Sequence, residues 1–221
     1  MSVLFVAEVG SAHKGSKSLA FEYIRAFSEA GAGAIKFQFG WTKAAQEAQG
    51  LEYNPVRYVD EWVWDLRKWC DSYGVKLMAS IWSEEGLETA NMAPLDIYKV
   101  GYRMKDGSLA IKVRKAAVER DKPLYISGYN VHCISKYPTY PNELLMPDKF
   151  EDGVIGYSDH THGIEACLLA VARGATYIEK HVCIDKSDLV TKDTPFSATP
   201  QEFADMVKIG NGIERILNAN A

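Results

Sequence analysis

Two short stretches of the sequence place a histidine close to a carboxylate at the end of an apolar run. In GYSDHT, His160 follows Asp159 after the run VIGY. In IEKH, His181 follows Glu179 after the run ATYI. Two neutral imidazoles with a carboxylate and waters form a suitable ligand set for Mn²⁺, Zn²⁺ or Fe²⁺. A lone histidine is more often held by a structural hydrogen bond, but a pair at two strand ends favours a metal site.

Lysines near the ends of other apolar runs are suited to binding an anion. Lys36 lies in AIKFQF and Lys99 in LDIYKVG, and an ammonium is a compact charge that binds carboxylate or phosphate. Each lysine has a structural alternative, in which it reaches solvent or pairs with a glutamate. Glu8 is either a general base or the counter-charge of Lys36. The serine hydroxyls and Tyr137 either donate to a substrate or cap turns.

These residues lie in a chain where apolar runs of strand length alternate with helix-like segments. Strands are predicted at 3–10, 34–39, 75–82, 95–101, 122–128, 131–135, 154–158 and 175–181. Helices are predicted within 16–32, at 59–74, 108–121 and 164–174, and from a capping box that begins at Thr199. The segment 41–57 shows no clear period. The pattern predicts a single domain over residues 1–221 that folds as a (β/α)₈ TIM barrel.

The predicted barrel is irregular around strands five and six. Only Tyr129 and Asn130 separate the runs 122–128 and 131–135, whereas neighbouring parallel strands need roughly a dozen linking residues. The rival fold is an open doubly wound sheet, but the sequence has no GxGxxG motif or P-loop. In a barrel, the carboxyl ends of the strands face the active site. The polar residues at these ends are Glu8, Lys36, Gln38, Ser80, Lys99, Ser127, Ser135, Ser158, Asp159, His160, Glu179, Lys180 and His181.

Composition excludes several classes of function. A net charge of −4 without a basic run gives no reason to expect a nucleic-acid partner. No apolar stretch approaches the ~20 residues that cross a bilayer, and the N-terminus lacks a basic leader, so we expect no membrane association. The four cysteines lie singly, which predicts free thiols in a reducing compartment. The expected location is the cytoplasm.

Taken together, the motifs resemble those of the sialic acid synthase family, whose members condense phosphoenolpyruvate with N-acetylmannosamine or a related sugar. GYSDHT followed by IEKH at this spacing is the most specific of them. The resemblance covers roughly residues 3–210. The other matching segments, in order, are AEVGSAHKGS, EAGAGAIKFQ, DIYKVG, HCISKYPT and DTPFSATPQEF.

The resemblance implies a TIM barrel and a role for each matching residue. It makes His160 and His181 the metal ligands, with Mn²⁺ as first choice and Mg²⁺, Co²⁺ or Zn²⁺ as alternatives. Glu8 and Asp193 match acidic residues of the active site. Tyr137 matches a further catalytic position.

The same resemblance assigns the substrate contacts. Tyr137 and Gln38 match residues near the sugar. It assigns the binding of the carboxylate of phosphoenolpyruvate to Lys36, Ser80 and Lys99. It assigns the binding of the phosphate to Ser135 and Ser158.

The chain departs from the family at the phosphate site. Tyr102 replaces a phosphate-binding serine, so Arg103 is predicted to supply the lost contact, although a bulky Tyr102 also narrows the pocket. Where the family has the sequence STG, this chain has ISG, so that the hydroxyl is carried by Ser127. Family members also carry a C-terminal antifreeze-like domain that lends an arginine to the partner's sugar site. Because this sequence ends at Ala221 without one, we expect a homodimer mate or a separate antifreeze-like polypeptide to complete the site.

The leading hypothesis is a transferase that condenses phosphoenolpyruvate with an N-acetylmannosamine-like aldehyde, giving a sialic-acid-type 2-keto sugar acid and phosphate. A second hypothesis is a barrel aldolase or lyase that forms a Schiff base on Lys180 or Lys99. A third is a barrel that binds a sugar phosphate or a partner without turnover.

Overall fold

A computed structural model of the chain describes residues 2–54, 59–187 and 191–219. Within these residues, eight strands pair in parallel around a barrel, in the order β5-β4-β3-β2-β1-β8-β7-β6. Each lies in or closely overlaps one of the predicted runs, so the predicted (β/α)₈ fold is confirmed. The strands are β1 (Leu4–Glu8), β2 (Ala34–Phe39), β3 (Lys76–Ile81), β4 (Ile97–Val100), β5 (Leu124–Ile126), β6 (Val131–Cys133), β7 (Gly156–Asp159) and β8 (Tyr177–His181).

Helices cover the outside of the barrel, and two of them were not predicted. These two, α2 and α4, are short and carry little apolar periodicity. Helix α2 falls in the segment considered irregular, of which residues 55–57 lie outside the described residues. The helices are α1 (Lys17–Glu29), α2 (Lys43–Ala48), α3 (Val63–Tyr73), α4 (Glu84–Met92), α5 (Ser108–Glu119), α6 (Glu165–Ala172) and α7 (Pro200–Ala219).

The predicted capping box opens α7. The backbone N–H of Thr199 donates to Glu202 Oε2 at 2.8 Å, and the N–H of Glu202 donates to Thr199 Oγ1 at 3.3 Å. These bonds satisfy backbone donors that a helix N-terminus otherwise leaves unpaired. No helix among the described residues is long and apolar enough to cross a membrane.

Apolar side chains fill the barrel interior below the mouth. The largest is Tyr177, which is fully buried and stacks on Tyr125 with ring centroids 4.1 Å apart. Gly156, its register partner on β7, makes room for it, because a Cβ on Gly156 would lie 2.7 Å from Tyr177 Cβ. The floor of the barrel is therefore closed, and its polar groups are confined to the mouth.

The predicted irregularity is a seam between β5 and β6, where one short connection replaces a crossover helix. The backbone joins the two strands through a single parallel bridge between Ser127 and Val131. The Asn130 side chain takes the place of further backbone pairing: its Oδ1 accepts from the Ile126 N–H at 2.6 Å, and its Nδ2 donates to the Leu124 carbonyl at 3.0 Å. The side-chain amide of Asn130 thus provides hydrogen-bond partners for backbone groups at the edge of β5.

Candidate active site at the barrel mouth

Four charged side chains from neighbouring strands form a network inside the mouth. Lys36 Nζ lies 3.1 Å from Glu8 Oε2 and 2.8 Å from Glu179 Oε1, and Lys99 Nζ lies 3.9 Å from Glu179 Oε2. All four residues are at most 4% exposed. Residues two apart on a strand share a face, which brings these side chains inward above the apolar floor. We call Glu8, Lys36, Lys99 and Glu179 the lysine–carboxylate network.

Hydroxyl groups complete the network around Glu179. Ser158 Oγ donates to Glu179 Oε1 at 2.7 Å, and the Tyr177 hydroxyl donates to Glu179 Oε2 from below. On the other side, Lys99 Nζ donates to Ser127 Oγ at 2.5 Å. Ser80 is buried beside Lys99, its register partner on β4. Glu179 is thus the hub of the network, a role that sequence reasoning missed although it noted the residue at a strand end.

The pKa values of the two carboxyl groups of the network are shifted in opposite directions. Burial raises the pKa of Glu8 to about 7; Lys36 opposes this, but the like charge of Glu179 adds to it. Burial alone would raise the pKa of Glu179 too, but Lys36, Lys99 and the Tyr177 hydroxyl hold it well below its ordinary value. Glu179 is therefore ionised at neutral pH, while Glu8 is able to take up and release a proton.

This difference predicts a specific pH dependence of stability. Because the folded state raises the pKa of Glu8 from 4.5 to about 7, folded Glu8 binds a proton that the unfolded chain has released. The stability that Glu8 contributes is complete below pH 4.5 and is lost as the pH rises through 7. Relative to Glu8→Gln, the wild type should lose about 3 kcal/mol of unfolding free energy across this window. Urea denaturation from pH 4.5 to 8 measures it.

The exposed Glu88 on α4 offers a matched control, because Glu88→Gln makes the same chemical change outside the barrel. Glu88→Gln should follow the wild-type pH dependence. Parallel curves for wild type and Glu8→Gln would contradict the assignment of the raised pKa to Glu8.

The two predicted metal-ligand histidines meet at the mouth. Their ring centroids are 5.4 Å apart. Burial lowers the pKa of His160 to about 4, with His181 adding to the effect, and burial together with Lys36 lowers the pKa of His181 to about 3. Both rings are therefore neutral at pH 7, the form that binds metals.

The hydrogen bonds of His160 also fit a metal site. Its Nδ1 lies 2.8 Å from the Ile134 carbonyl oxygen, and since a carbonyl only accepts, Nδ1 donates and Nε2 keeps its lone pair. His181 Nδ1 faces Asp193 Oδ2 at 3.7 Å, too far for a direct hydrogen bond. Among the described residues, no group of three or more His, Cys, Asp or Glu side chains is arranged to hold a metal. The histidine pair thus fits a cation that takes its other ligands from water or substrate.

Aromatic rings surround the histidine pair. The centroid of the Tyr137 ring lies 4.0 Å from the centroid of the His160 ring. Phe196 approaches the edges of both imidazoles, with centroids 6.2 Å from His160 and 5.6 Å from His181. Phe196 is buried, and sequence reasoning missed it although it lies in the DTPFS motif three residues after Asp193.

The remaining predicted site residues lie in different settings. Gln38 Nε2 donates to Glu8 Oε1 at 3.1 Å, which places it in the mouth. Ser135 interacts with the Tyr137 side chain at the rim. Arg103 is exposed on a short 3₁₀ turn after β4. Its neighbour Tyr102 packs over Gly128, at the open side of the seam.

Lys180 points out of the barrel, away from the mouth. Its Nζ donates to Asp159 Oδ2 and to the Thr161 carbonyl, both at 2.5 Å, and Lys180 and Asp159 are fully buried. Cys167 of α6 lies 3.5 Å from Asp159, so the pair sits between the barrel and its helix layer. Residues next to each other on a strand face opposite sides, which separates Lys180 from Glu179 and His181.

The mouth therefore divides into two halves with different chemistry. The half around Lys36 and Lys99 offers buried ammonium and hydroxyl groups to an anion. The half around His160 and His181 offers neutral nitrogen ligands beside acidic groups. Glu8 lies between the halves and is the group with a proton affinity near neutral pH.

Comparison with known proteins finds relatives similar in sequence and a solved structure similar in fold. The sequence model of the NeuB family matches residues 127–220. The spore coat polysaccharide biosynthesis protein SpsE of Bacillus subtilis is 29% identical over 93% of this chain and 66% of its own length. The N,N'-diacetyllegionaminic acid synthase of Legionella pneumophila is 28% identical over 99% of this chain and 74% of its own length.

A solved structure agrees with these sequence matches. The N-acetylneuraminic acid synthetase of Leptospira borgpetersenii, in complex with citrate, superimposes with a TM-score of 0.79 at 25% identity, covering 98% of this chain and 85% of that one. The predicted resemblance to the sialic acid synthase family is confirmed. The prediction of a carbon–carbon bond-forming enzyme of the transferase class is confirmed with it.

Proposed function

We propose that this barrel, as one of the sialic acid synthase type, condenses phosphoenolpyruvate with the aldehyde of an N-acetylmannosamine-like sugar. The products are a 2-keto sugar acid and inorganic phosphate. The observation that carries the proposal is the buried lysine–carboxylate network, which lies a few ångströms from a pair of neutral histidines. The proposal extends to Mn²⁺ as the cation held by these histidines.

The charge of the network favours an anionic substrate. When Glu8 is protonated, two lysines face the single carboxylate of Glu179, which leaves one net positive charge inside the mouth. A buried charge of this kind needs a partner, and the carboxylate of phosphoenolpyruvate supplies one. The nearby hydroxyls of Ser80, Ser135 and Ser158 are donors for carboxylate and phosphate oxygens.

In the proposed condensation, C3 of the enol phosphate forms the new bond to the aldehyde carbon, and the aldehyde oxygen takes up a proton to become a hydroxyl. Water adds at C2 and loses its first proton, which balances the one taken up by the aldehyde oxygen. The C2–O bond to phosphate then breaks, and the remaining proton of the C2 hydroxyl leaves with the phosphate to give the ketone. Lys36 and Lys99 hold the reactant in place, which is a positioning contribution to the rate. Glu8, with a pKa of about 7, donates and accepts the protons, together with Asp193.

A divalent cation bound by His160 and His181 would supply Lewis-acid polarisation of the aldehyde. The chain's own contribution there is to keep both imidazoles neutral and to orient His160 through the Ile134 carbonyl. Tyr137 and Phe196 flank the histidines, and the buried Phe196 ring covers one side of this half of the mouth.

The proposal includes a second polypeptide at the sugar side. We propose that a homodimer mate, or a separate antifreeze-like protein, contributes to the acceptor site in the cytoplasm.

Removing the His160 side chain tests the proposal. With phosphoenolpyruvate, N-acetylmannosamine and Mn²⁺, His160→Ala should release phosphate at least about 100-fold more slowly than the wild type. His162→Ala is the matched control, because His162 is an exposed neighbour whose Nδ1 faces the Pro195 carbonyl. The control should keep wild-type rates, and added chelator should abolish turnover in both the control and the wild type.

Full turnover by His160→Ala would refute the assignment of the metal site. Turnover that persists in chelator would do so as well. If the wild type releases no phosphate with any aldehyde of a panel of sugars, the proposed condensation is refuted.

A further inference from the structure

We propose that Trp41 is a positioning residue that fixes the amide of Gln38, so that the Nε2 end of the amide faces Glu8 and the acceptor side of the mouth. The inference rests on the proposed function and on the resemblance that matches Gln38 to a residue near the sugar. It predicts that a substrate group contacted by Gln38 Nε2 is an oxygen acceptor, such as a carbonyl or hydroxyl oxygen, and not an ammonium.

Trp41 is held rigidly where the chain leaves β2. It is 5% exposed, and its ring stacks on that of Trp82, with centroids 4.1 Å apart and planes 19° from parallel. Trp82 follows β3, so the two rings fill the rim between neighbouring strand ends. From this position Trp41 Nε1 donates to Gln38 Oε1.

Groups at both ends fix which way the Gln38 amide points. An indole N–H only donates, so the atom that faces Trp41 must be the amide oxygen. At the other end, Gln38 Nε2 donates to Glu8 Oε1 at 3.1 Å, where a carboxylate oxygen accepts. Reversing the amide would place two donors face to face at Trp41 and, while Glu8 is ionised, two acceptors face to face at Glu8.

The fixed orientation has a consequence for specificity. Trp41 and Glu8 hold the amide so that Nε2 lies on the Glu8 side of the mouth, where its second N–H is left to donate to a ligand. A substrate group that accepts a hydrogen bond fits this N–H, whereas an ammonium would meet another donor there. A rotated amide would lose this match, and leaving a polar group unpaired costs more than the bond itself contributes.

The neighbouring tryptophan provides an internal control. Trp82 Nε1 is buried and has no hydrogen-bond partner among the described residues. Trp41→Phe and Trp82→Phe therefore remove the same indole group from the same stacked pair. Only the first breaks a hydrogen bond to Gln38.

The experiment compares these two variants in steady-state kinetics with N-acetylmannosamine, at saturating phosphoenolpyruvate and Mn²⁺. Trp41→Phe should raise the KM for the sugar about tenfold with a smaller change in kcat, because the freed amide can rotate. Trp82→Phe should leave KM within about twofold of the wild-type value. Equal effects of the two variants on KM would overturn the inference.

A second readout does not depend on turnover. In ¹⁵N–¹H spectra of the folded protein, Gln38→Leu should shift the indole N–H resonance of Trp41 more than that of Trp82. An unmoved Trp41 resonance would overturn the inference even if the enzyme is active. If the wild type shows no turnover but the resonance moves as expected, the positioning of Gln38 stands and the proposed condensation fails.

Discussion

Glu179→Gln is expected to slow phosphate release about 100-fold and to lower the free energy of unfolding by about 3–5 kcal/mol. Glutamine keeps the shape of the side chain but removes the charge that Lys36 and Lys99 share at 2.8 Å and 3.9 Å. Lys36 keeps Glu8 as a partner, whereas Lys99 keeps two uncharged ones, Ser127 Oγ at 2.5 Å and the Val100 carbonyl at 3.5 Å. A buried ammonium without a carboxylate loses its proton or moves toward water, and both changes disturb the anion site.

Urea denaturation and the phosphate-release assay measure the two effects separately. Glu88→Gln on α4 is again the control, since its exposed side chain should change stability by less than about 0.5 kcal/mol. A Glu179→Gln protein with wild-type stability and rate would show that the two lysines do not depend on this carboxylate.

Lys180→Met is expected to destabilise the fold by about 3–5 kcal/mol, because it leaves the Asp159 carboxylate buried without its cation. Asp159 would keep uncharged donors, which are the hydroxyls of Tyr157 and Thr161 at 2.8 Å and 2.9 Å, the Thr161 backbone N–H at 3.1 Å and the Cys167 thiol at 3.5 Å. If the single variant does not fold, Asp159→Asn/Lys180→Met provides the comparison. Removing both charges should recover most of the loss, since the penalty comes from the unpaired ion. Thermal or urea unfolding measures both variants.

The same residue separates the proposed condensation from a Schiff-base aldolase. An imine on Lys180 would require the substrate to reach the helix side of the barrel, where Lys180 is fully buried. Borohydride treatment with a carbonyl substrate should therefore leave the peptide that contains Lys180 unmodified. A reduced adduct on Lys180 would contradict the outward position. An adduct on Lys99 would instead favour the aldolase hypothesis at the mouth.

Much of the barrel was predictable because parallel strands covered on both faces are continuous apolar runs. Polar residues near the carboxyl ends of such runs were candidates for the mouth, which led to Lys36, Lys99, His160 and His181, although Asp159 and Lys180 at the same ends face the helix layer. The capping box at Thr199 was readable because its chemistry is local.

The features that were not predicted depend on contacts between segments distant in the chain, which local sequence patterns do not reveal. Nothing in IEKH says that Glu179 faces inward and Lys180 outward, because that depends on the register of β8. The role of Phe196 follows from a loop that returns over the mouth. The hydrogen bond between Trp41 and Gln38 depends on the turn that follows β2. No periodic pattern in the sequence predicts the shape of that turn. Helix α4 was missed since it is short and mostly polar on its exposed side.

The seam between β5 and β6 has a consequence for association between chains. A barrel has no free strand edge, and an interrupted barrel gains two edges that are able to pair with another molecule. Here β5 and β6 have three residues each, and the Asn130 amide occupies backbone groups of β5 that an intruding strand would need. The barrel thus joins β5 to β6 without a crossover helix and without presenting a long free strand edge to another molecule.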